Sequence, residues 1–183
     1  VMILAKKYHK ILMCLTLSVF LVAGMISASA LLIKPGDAGW WGSVPGNPDA
    51  GDVADIVGSG ALNLLYKQDH GSGSDTGAFA SSYQTTFDNT PTDPMDADIA
   101  YVGGPFITGS PLYLLVKDGN HDPIWYLFDI FWNGTDIIEL RGFWPDGGAI
   151  SHVTIYGGGV APVPEPATVL LLGVGLAGLV GFG

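Results

Sequence analysis

Short apolar runs separated by turn-forming residues dominate the chain from about residue 60 onward. Each run has the length of a β-strand and is bounded by Gly, Pro, Asp or Asn. This spacing predicts an all-β domain over residues 60–158, either an antiparallel β-sandwich or a barrel-like sheet. Residues 31–59, rich in Gly, Pro and Asp, predict an irregular segment. The predicted strands are Ala61–Lys67, Ala78–Phe87, Asp98–Val102, Leu112–Lys117, Ile124–Trp132, Ile137–Phe143 and Ile150–Tyr156.

Residues 111–156 are the most regular part of this pattern and predict a meander of four consecutive strands. Asn133-Gly134 is the strongest hairpin signal in the chain, because both residue types tolerate the positive φ of a tight type I′ turn. In the strand that follows, alternation predicts that Ile138 and Leu140 face the core.

The middle of the chain is strongly acidic. Residues 31–162 contain four Lys or Arg and sixteen Asp or Glu, and the whole chain has a formal net charge of −10 at pH 7. Such a surface repels phosphate backbones, so we expect no nucleic-acid partner. The single cysteine, Cys14, lies in the N-terminal apolar run. Residues 31–162 therefore offer no thiol for a disulfide, a metal site or a nucleophile.

Residues 1–30 contain the three parts of a secretory signal peptide in the expected order. Three lysines precede an uncharged apolar run over residues 11–26, and Ala28 and Ala30 supply the small side chains that signal peptidase requires. We therefore expect an N-terminal signal helix, with signal peptidase as a partner and cleavage after Ala30. An uncleaved membrane helix is the alternative.

A second apolar segment ends the chain. Residues 159–163 predict a linker, Pro164, Glu165 and Pro166 follow it, and residues 169–182 carry no charge. As a helix these residues span about 21 Å, less than a typical hydrocarbon core of about 30 Å. We expect a C-terminal transmembrane helix that holds the protein at the inner membrane in transit. The alternative is a buried helix of a soluble domain.

The segment that begins at Val163 resembles the PEP-CTERM sorting signal of bacterial exported proteins, which is also catalogued as the C-terminal domain of certain ice-binding proteins. The resemblance covers residues 164–183. It implies that an exosortase, a membrane transpeptidase-like enzyme, recognises the Pro-Glu-Pro motif in bacteria that make exopolysaccharide. The family's signal ends in an Arg-rich cluster, whereas this chain stops at Gly183, so we expect a sequence clipped before that cluster.

The block from Tyr113 to Val153 is similar to ectodomains found on PEP-CTERM proteins. That resemblance brings no catalytic residues with it. The chain also lacks G-x-S-x-G, H-E-x-x-H and P-loop motifs. Ser151-His152 with a distant Asp could compose a hydrolase triad, but triads are defined by geometry. We predict that the protein is not an enzyme and that His152 is a surface residue.

One loop has part of a calcium-binding pattern. Asp118, Asn120 and Asp122 have the 1-3-5 spacing of a calcium loop, and Asp129 falls at position 12. Position 6 is Pro123 where that loop needs Gly, so a plain turn between strands explains these residues more simply. We therefore predict no cofactor, with calcium as the alternative. The same alternative holds for two acidic runs predicted to lie in loops, Asp49-x-x-Asp52-x-x-Asp55 and Asp93-x-x-Asp96-x-Asp98.

Aromatic residues offer a second kind of candidate site. Trp40, Trp41 and Trp125 could stack on sugar rings, whereas the simpler explanation is core filling. Trp40 and Trp41 are adjacent, so on a strand they would point in opposite directions and one would be exposed. We expect an exported surface or matrix protein with a structural or adhesive role in an exopolysaccharide-rich envelope. The alternative is a carbohydrate-binding module that uses exposed aromatics.

Overall fold

The computed structural model describes residues 29–43, 46–72, 75–88 and 93–158. Within these ranges nine β-strands and one α-helix of eight residues are present. The strands are β1 (Ala30–Ile33), β2 (Trp40–Gly42), β3 (Asn63–Asp69), β4 (Tyr83–Asp88), β5 (Asp96–Tyr101), β6 (Leu112–Lys117), β7 (Trp125–Asp129), β8 (Ile137–Leu140) and β9 (His152–Gly157), and the helix, α1, is Ala50–Val57.

The strands form two sheets. The four-stranded sheet has the order β1-β8-β5-β4, and the five-stranded sheet has the order β2-β7-β6-β9-β3. Neighbouring strands are antiparallel except β1 and β8, which are parallel. The β-rich fold is therefore confirmed. Each of the seven predicted runs contains a strand, but only Leu112–Lys117 has the predicted bounds; the run Ala78–Phe87, for example, holds β4 only from Tyr83 onward. The sheets do not close into a barrel, so the barrel-like alternative is wrong.

The main core lies between the two sheets. Alternate residues of each strand point into it, as a half-buried sheet requires. Ile138 and Leu140 face this core as predicted. Large side chains that are fully buried fill it, among them Tyr66, Tyr83, Ile99, Leu114, Ile138, Leu140, Phe143 and Ile155.

A second core lies on the outer face of the five-stranded sheet, where α1 covers the strands. Val53 and Ala54 of the helix pack with Leu115 and Leu127 of β6 and β7. The five-stranded sheet is therefore covered on both faces. Every residue of β6 and of β9 is buried.

The prediction of an irregular segment over residues 31–59 is wrong, because β1, β2 and α1 lie within it. The two strands have four and three residues, too few for a period-2 pattern. The helix carries its own signals at both ends. Asp49 and Asp52 form a capping box, and Gly58 ends the helix with φ 65°, in the left-handed region that favours glycine.

The predicted hairpin at Asn133-Gly134 and the four-strand meander are also wrong. β7 and β8 belong to different sheets, so residues 130–136 cross from one sheet to the other. The Asn133 Oδ1 atom accepts hydrogen bonds from the backbone N–H groups of Thr135 and Asp136 and forms a local turn. The β6–β7 hairpin is present, with residues 118–124 as its loop.

The sandwich has two ends, and both termini of the described domain lie at one of them. We call this end the terminal face: it holds the start of β1, the end of β9, and loops 102–111 and 130–136. The strand registers place these parts at one end. Ala30 pairs with Ile137 in one sheet, Leu112 pairs with Gly157 and Tyr113 with Asp129 in the other, and loop 130–136 joins Asp129 to Ile137. The opposite end, the distal face, holds loops 118–124 and 141–151.

The predicted signal helix and C-terminal transmembrane helix lie outside the described residues, as does Ala28. Ala30 is the exposed first residue of β1. Among the residues that the structure describes, no helix has the length and apolar character needed to cross a membrane.

Tyr83 joins the two loops of the terminal face. Its hydroxyl donates to the carbonyl oxygen of Gly134 (2.7 Å) and accepts from the backbone N–H of Ile107 (2.7 Å). Burial raises the pKa of Tyr83 to about 12, so the hydroxyl keeps its proton for this bond at neutral pH. Gly134 has φ 84°, and a Cβ there would collide with the Ile107 carbonyl group. This close approach requires glycine.

We predict that Tyr83→Phe lowers the free energy of unfolding by about 1–3 kcal/mol, because it leaves two buried backbone groups without a partner. Urea unfolding of the full chain in detergent, followed by tryptophan fluorescence, measures this. Tyr113→Phe is the matched control, since it removes the hydroxyl of another buried tyrosine. Equal stability of the two variants would contradict the role of the Tyr83 hydroxyl.

Candidate functional site

A cleft of about 560 Å³ lies beside α1 on the outer side of the five-stranded sheet. Its walls are loop 46–48, the exposed side of the helix and the indole of Trp125. The lining residues are Gly46, Asn47, Pro48, Asp52, Asp55, Ile56 and Trp125. It combines an aromatic ring, an aliphatic side chain and two carboxylates, the mixture of apolar and polar groups found in small-molecule sites.

The helix that forms one wall begins at a capping box. Asp49 Oδ1 accepts from the N–H groups of Gly51 (2.8 Å) and Asp52 (3.0 Å), and Asp52 Oδ2 accepts from the N–H of Asp49 (2.9 Å). The acidic run predicted to lie in a loop is therefore a helix start, and that prediction is wrong. Asp55, one turn further on, is exposed and lines the cleft.

Tyr156 holds the other wall in place. Its hydroxyl donates to the carbonyl oxygen of Pro48 (2.7 Å), which joins β9 to loop 46–48. Burial, aided by the negative charge of Asp49, raises the pKa of Tyr156 to about 12. The hydroxyl thus remains a donor at neutral pH, and the loop is fixed to the sheet at one point.

The three candidate tryptophans do not form one surface. Trp125 is 8 % exposed and packs over Gly42, where a Cβ would collide with the indole. Trp40 lies on the same face of the sheet, half-buried against Tyr113 with ring centroids 6.2 Å apart. Trp41 points the other way and is 66 % exposed, so the expected opposite orientation of the Trp40-Trp41 pair is found. Only Trp125 lines the cleft.

The loop that resembles a calcium site is held together by Asp118. This carboxylate is buried, and its Oδ1 accepts from the N–H groups of Asn120 (2.6 Å) and His121 (3.0 Å) while its Oδ2 accepts from Ala149. Burial alone would raise the pKa of Asp118, but these donors outweigh it and hold the pKa below its ordinary value. Both oxygens are therefore engaged by the chain itself.

The other proposed ligands do not gather around Asp118. Asp122 is exposed on the same loop, and no three His, Cys, Asp or Glu side chains converge on one point in the described part of the chain. The prediction that the second acidic run lies in a loop is partly wrong, because Asp96 and Asp98 belong to β5. There Asp98 pairs with Arg141 at 2.6 Å.

The prediction that His152 is a surface residue is wrong. Its strand alternates as expected, yet His152 is only 5 % exposed. It lies between Lys117 on β6 and Asp69 on β3. Burial, reinforced by the positive charge of Lys67 and opposed by Asp69, lowers the pKa of His152 to about 4. The imidazole is therefore neutral at pH 7.

Ser151, His152 and Asp69 meet in space but not as a catalytic triad. Ser151 Oγ lies 3.5 Å and Asp69 Oδ1 lies 3.6 Å from the same imidazole nitrogen, Nδ1. A triad needs the two groups on opposite nitrogens. Ser151 Oγ instead donates to the carbonyl oxygen of Lys117 at 2.9 Å.

A second pocket of about 200 Å³ opens on the distal face, where loops 118–124 and 141–151 meet. Trp144 contributes one wall with φ 49°, a conformation that bulky residues rarely adopt. Its indole Nε1 donates to the Pro123 carbonyl oxygen at 2.7 Å. Burial and the charge of Asp122 raise the pKa of Tyr126 in the same pocket. The lining residues are His121, Asp122, Tyr126, Trp144, Pro145, Asp146, Gly147 and Gly148.

The described residues thus define a two-sheet β domain with one helix-covered face and a surface cleft. Comparison with known proteins adds the class of signal that follows it: residues 162–182 match the family model described as the PEP-CTERM protein-sorting motif. The chain carries this motif, which implies an exported protein that an exosortase processes and that is sorted to the cell surface. No curated protein and no solved structure matches the chain.

We predict that His152 makes the domain sensitive to mild acid. The unfolded chain binds a proton near pH 6.5, whereas folded His152 does so only near pH 4. The contribution of neutral His152 to the free energy of unfolding is therefore fully present above pH 6.5. It falls by up to about 3 kcal/mol as the pH drops from 6.5 to 4. Unfolding free energies measured by urea titration between pH 7 and 4 test the loss.

His152→Gln removes the titrating group and should flatten this pH dependence. Thr154→Val, a non-titrating change on the same buried face, controls for altered packing and should keep the wild-type slope. An unchanged slope in His152→Gln would assign the acid sensitivity to other groups.

Proposed function

We propose that this protein is a non-enzymatic component of the cell surface or extracellular matrix, with a structural or adhesive role in an exopolysaccharide-rich envelope. The observation that carries the proposal is the PEP-CTERM motif at residues 162–182. In this proposal, signal peptidase removes residues 1–30, and the C-terminal segment holds the chain at the inner membrane in transit. An exosortase then acts at the Pro-Glu-Pro motif and releases the domain to the surface.

Two observations support a non-enzymatic role. In the grouping of Ser151, His152 and Asp69, both partners lie on a single imidazole nitrogen, and the serine hydroxyl donates to a backbone carbonyl. The most deeply buried carboxylate, Asp118, serves backbone N–H groups. The Ser151 hydroxyl and the Asp118 carboxylate, which could act in catalysis, thus form hydrogen bonds with backbone groups and stabilise the fold instead.

The surface chemistry supports a role in a hydrated matrix. The chain has a formal net charge of −10 at pH 7, which keeps copies apart and well solvated. Its four-stranded sheet has a charged outer face, where Arg141 pairs with Asp98 and lies 3.5 Å from Glu139. Contact with an uncharged polysaccharide fits this surface better than contact with an anionic one.

We predict that replacing Pro164, Glu165 and Pro166 together by alanine blocks processing in an exosortase-bearing host. The variant should accumulate in the membrane fraction with its C-terminal segment attached, because the residues that the enzyme would read are gone. Mass spectrometry of the purified C-terminal peptide measures this directly.

Pro162→Ala is the control for this experiment, since it removes a neighbouring proline and leaves Pro-Glu-Pro intact. It should be processed as the wild type is. Normal release of the triple-alanine variant would show that the motif is not the processing site and would overturn the sorting mechanism.

A second candidate function is carbohydrate binding at the cleft beside α1. Trp125, Ile56 and two carboxylates line this cleft, and carboxylates accept hydrogen bonds from sugar hydroxyl groups. Since Trp125 is only 8 % exposed, the ring supplies a limited contact area. The two carboxylates disfavour an acidic polysaccharide, so the ligand in this proposal is a neutral one.

We predict that Trp125→Phe and Asp55→Asn each weaken binding to the producer's neutral exopolysaccharide by about 3–10-fold, which corresponds to about 1 kcal/mol per lost contact. Both changes keep the fold, since the first retains an aromatic ring and the second alters an exposed side chain. Isothermal titration calorimetry provides the dissociation constants.

Trp41→Phe and Asp129→Asn are the matched controls, because both residues are exposed and lie outside the cleft. They should bind as the wild type does. Loss of binding in Trp41→Phe alone would move the site to the exposed tryptophan, and unchanged binding in both cleft variants would remove the cleft from consideration.

A further inference from the structure

Exposed apolar side chains are gathered on the terminal face. Phe131, between the buried residues Ile130 and Trp132, is 98 % exposed, and Val102 and Phe106 in the neighbouring loop are 57 % and 41 % exposed. Loops 102–111 and 130–136 are joined by Tyr83, which bonds to both. An almost fully exposed phenylalanine on a fixed loop gains nothing from the fold itself, so it is available to an external apolar partner.

The same face has no Lys or Arg, and its carboxylates include Asp136 in loop 130–136 and the exposed Asp129 at the end of β7. Loop 102–111 contains no Asp, Glu, Lys or Arg, and loop 130–136 contains only Asp136. All four basic residues of the described domain lie elsewhere: Lys34 and Arg141 follow the far ends of β1 and β8, and Lys67 and Lys117 belong to β3 and β6. The distal loops carry Asp118, Asp122 and Asp146. The basic side chains and the exposed apolar loops therefore lie apart along the long axis of the sandwich.

Both apolar terminal segments connect to this face through short tethers. Ala30 is four positions after Ile26, where the apolar run ends, and Pro166 is eight positions after Gly158. Fully extended, these stretches reach at most about 14 Å and about 28 Å. β6, with six residues, is itself about 20 Å long. Whichever apolar segment is in a bilayer, the terminal face is the end of the domain held nearest to it.

We propose that the terminal face rests on the lipid surface while the chain is held at the membrane, with Phe131, Phe106 and Val102 in contact with the interfacial region. This rests on the proposed function, because it concerns the stage before the sorting segment is processed. Aromatic and aliphatic side chains are those that enter the interface between headgroups and acyl chains. Three such residues bind lipid weakly alone, but a short tether raises their effective concentration at the surface.

The position of the exposed apolar side chains favours this orientation of the domain. The exposed distal carboxylates of Asp122 and Asp146 stay in water, whereas loop 102–111, which carries Val102 and Phe106, has no charged residue. Processing at Pro-Glu-Pro then removes the tether that keeps the contact. Three side chains without a tether do not hold the domain, so the docked state ends with cleavage.

The experiment places a fluorophore at defined positions of the full chain. In a Cys14→Ser background, Phe131→Cys is labelled with bimane, and the protein is reconstituted into phosphatidylcholine vesicles containing lipid spin-labelled in the upper acyl chain. The bimane should be quenched several-fold more at position 131 than in two controls. These are Trp41→Cys, an exposed aromatic position away from the terminal face, and Asp146→Cys on the distal face. Equal quenching at all three positions would overturn the proposal.

Carbonate extraction of the same vesicles separates this inference from the proposed function. Protein that washes off shows that the chain is not held in the bilayer, which overturns the membrane stage of the proposed function and the docking with it. Protein that stays but shows no quenching at position 131 overturns the docking alone. Disulfide cross-linking between two copies of the unlabelled Phe131→Cys variant, without quenching of the labelled one, would assign the face to a second copy of this protein instead.

Discussion

The burial of the five-stranded sheet on both faces is the constraint on which the rest of the structure depends. A sheet in a simple sandwich buries one face, yet every residue of β6 and β9 is buried here. The outer face needs a cover, and α1 supplies it with Val53 and Ala54. The edge of that cover creates the cleft. The hydroxyl of Tyr156 in β9 donates to the carbonyl oxygen of Pro48 and fixes the loop that completes the cleft.

Local sequence patterns predict the strands well and their partners poorly. Turn residues and alternation place all seven predicted strands, because these signals depend on neighbours in the chain. The sheet to which each strand belongs depends on distant contacts, so Asn133-Gly134 gives a valid turn but the wrong pairing. The capping box at Asp49 was a readable helix signal, but its carboxylates also fit an acidic loop cluster.

The candidate site was predictable only in part, and for the same reason. Trp125 and the run from Asp49 to Asp55 could be identified from the sequence, but nothing local places them in one cleft. Alternation assigns His152 correctly to the outer face of its strand, yet the sequence does not reveal that the side chain is buried between Lys117 and Asp69 of the neighbouring strands. Asp118 fits a calcium-ligand pattern in the sequence, whereas in the fold its oxygens accept hydrogen bonds from the backbone N–H groups of Asn120, His121 and Ala149.

The parallel pairing of β1 with β8 connects the fold to export. Had β1 run antiparallel to β8, its first residue would lie on the distal face, on the opposite end from Gly157. Parallel pairing instead sets Ala30 against Ile137 on the terminal face, so the segments that precede and follow the domain leave from one end. In the proposed function, with an N-terminal signal and a C-terminal sorting segment, the same end of the domain would face the membrane at both stages. The cleft beside α1 and the charged distal loops would then face the surroundings without a reorientation step.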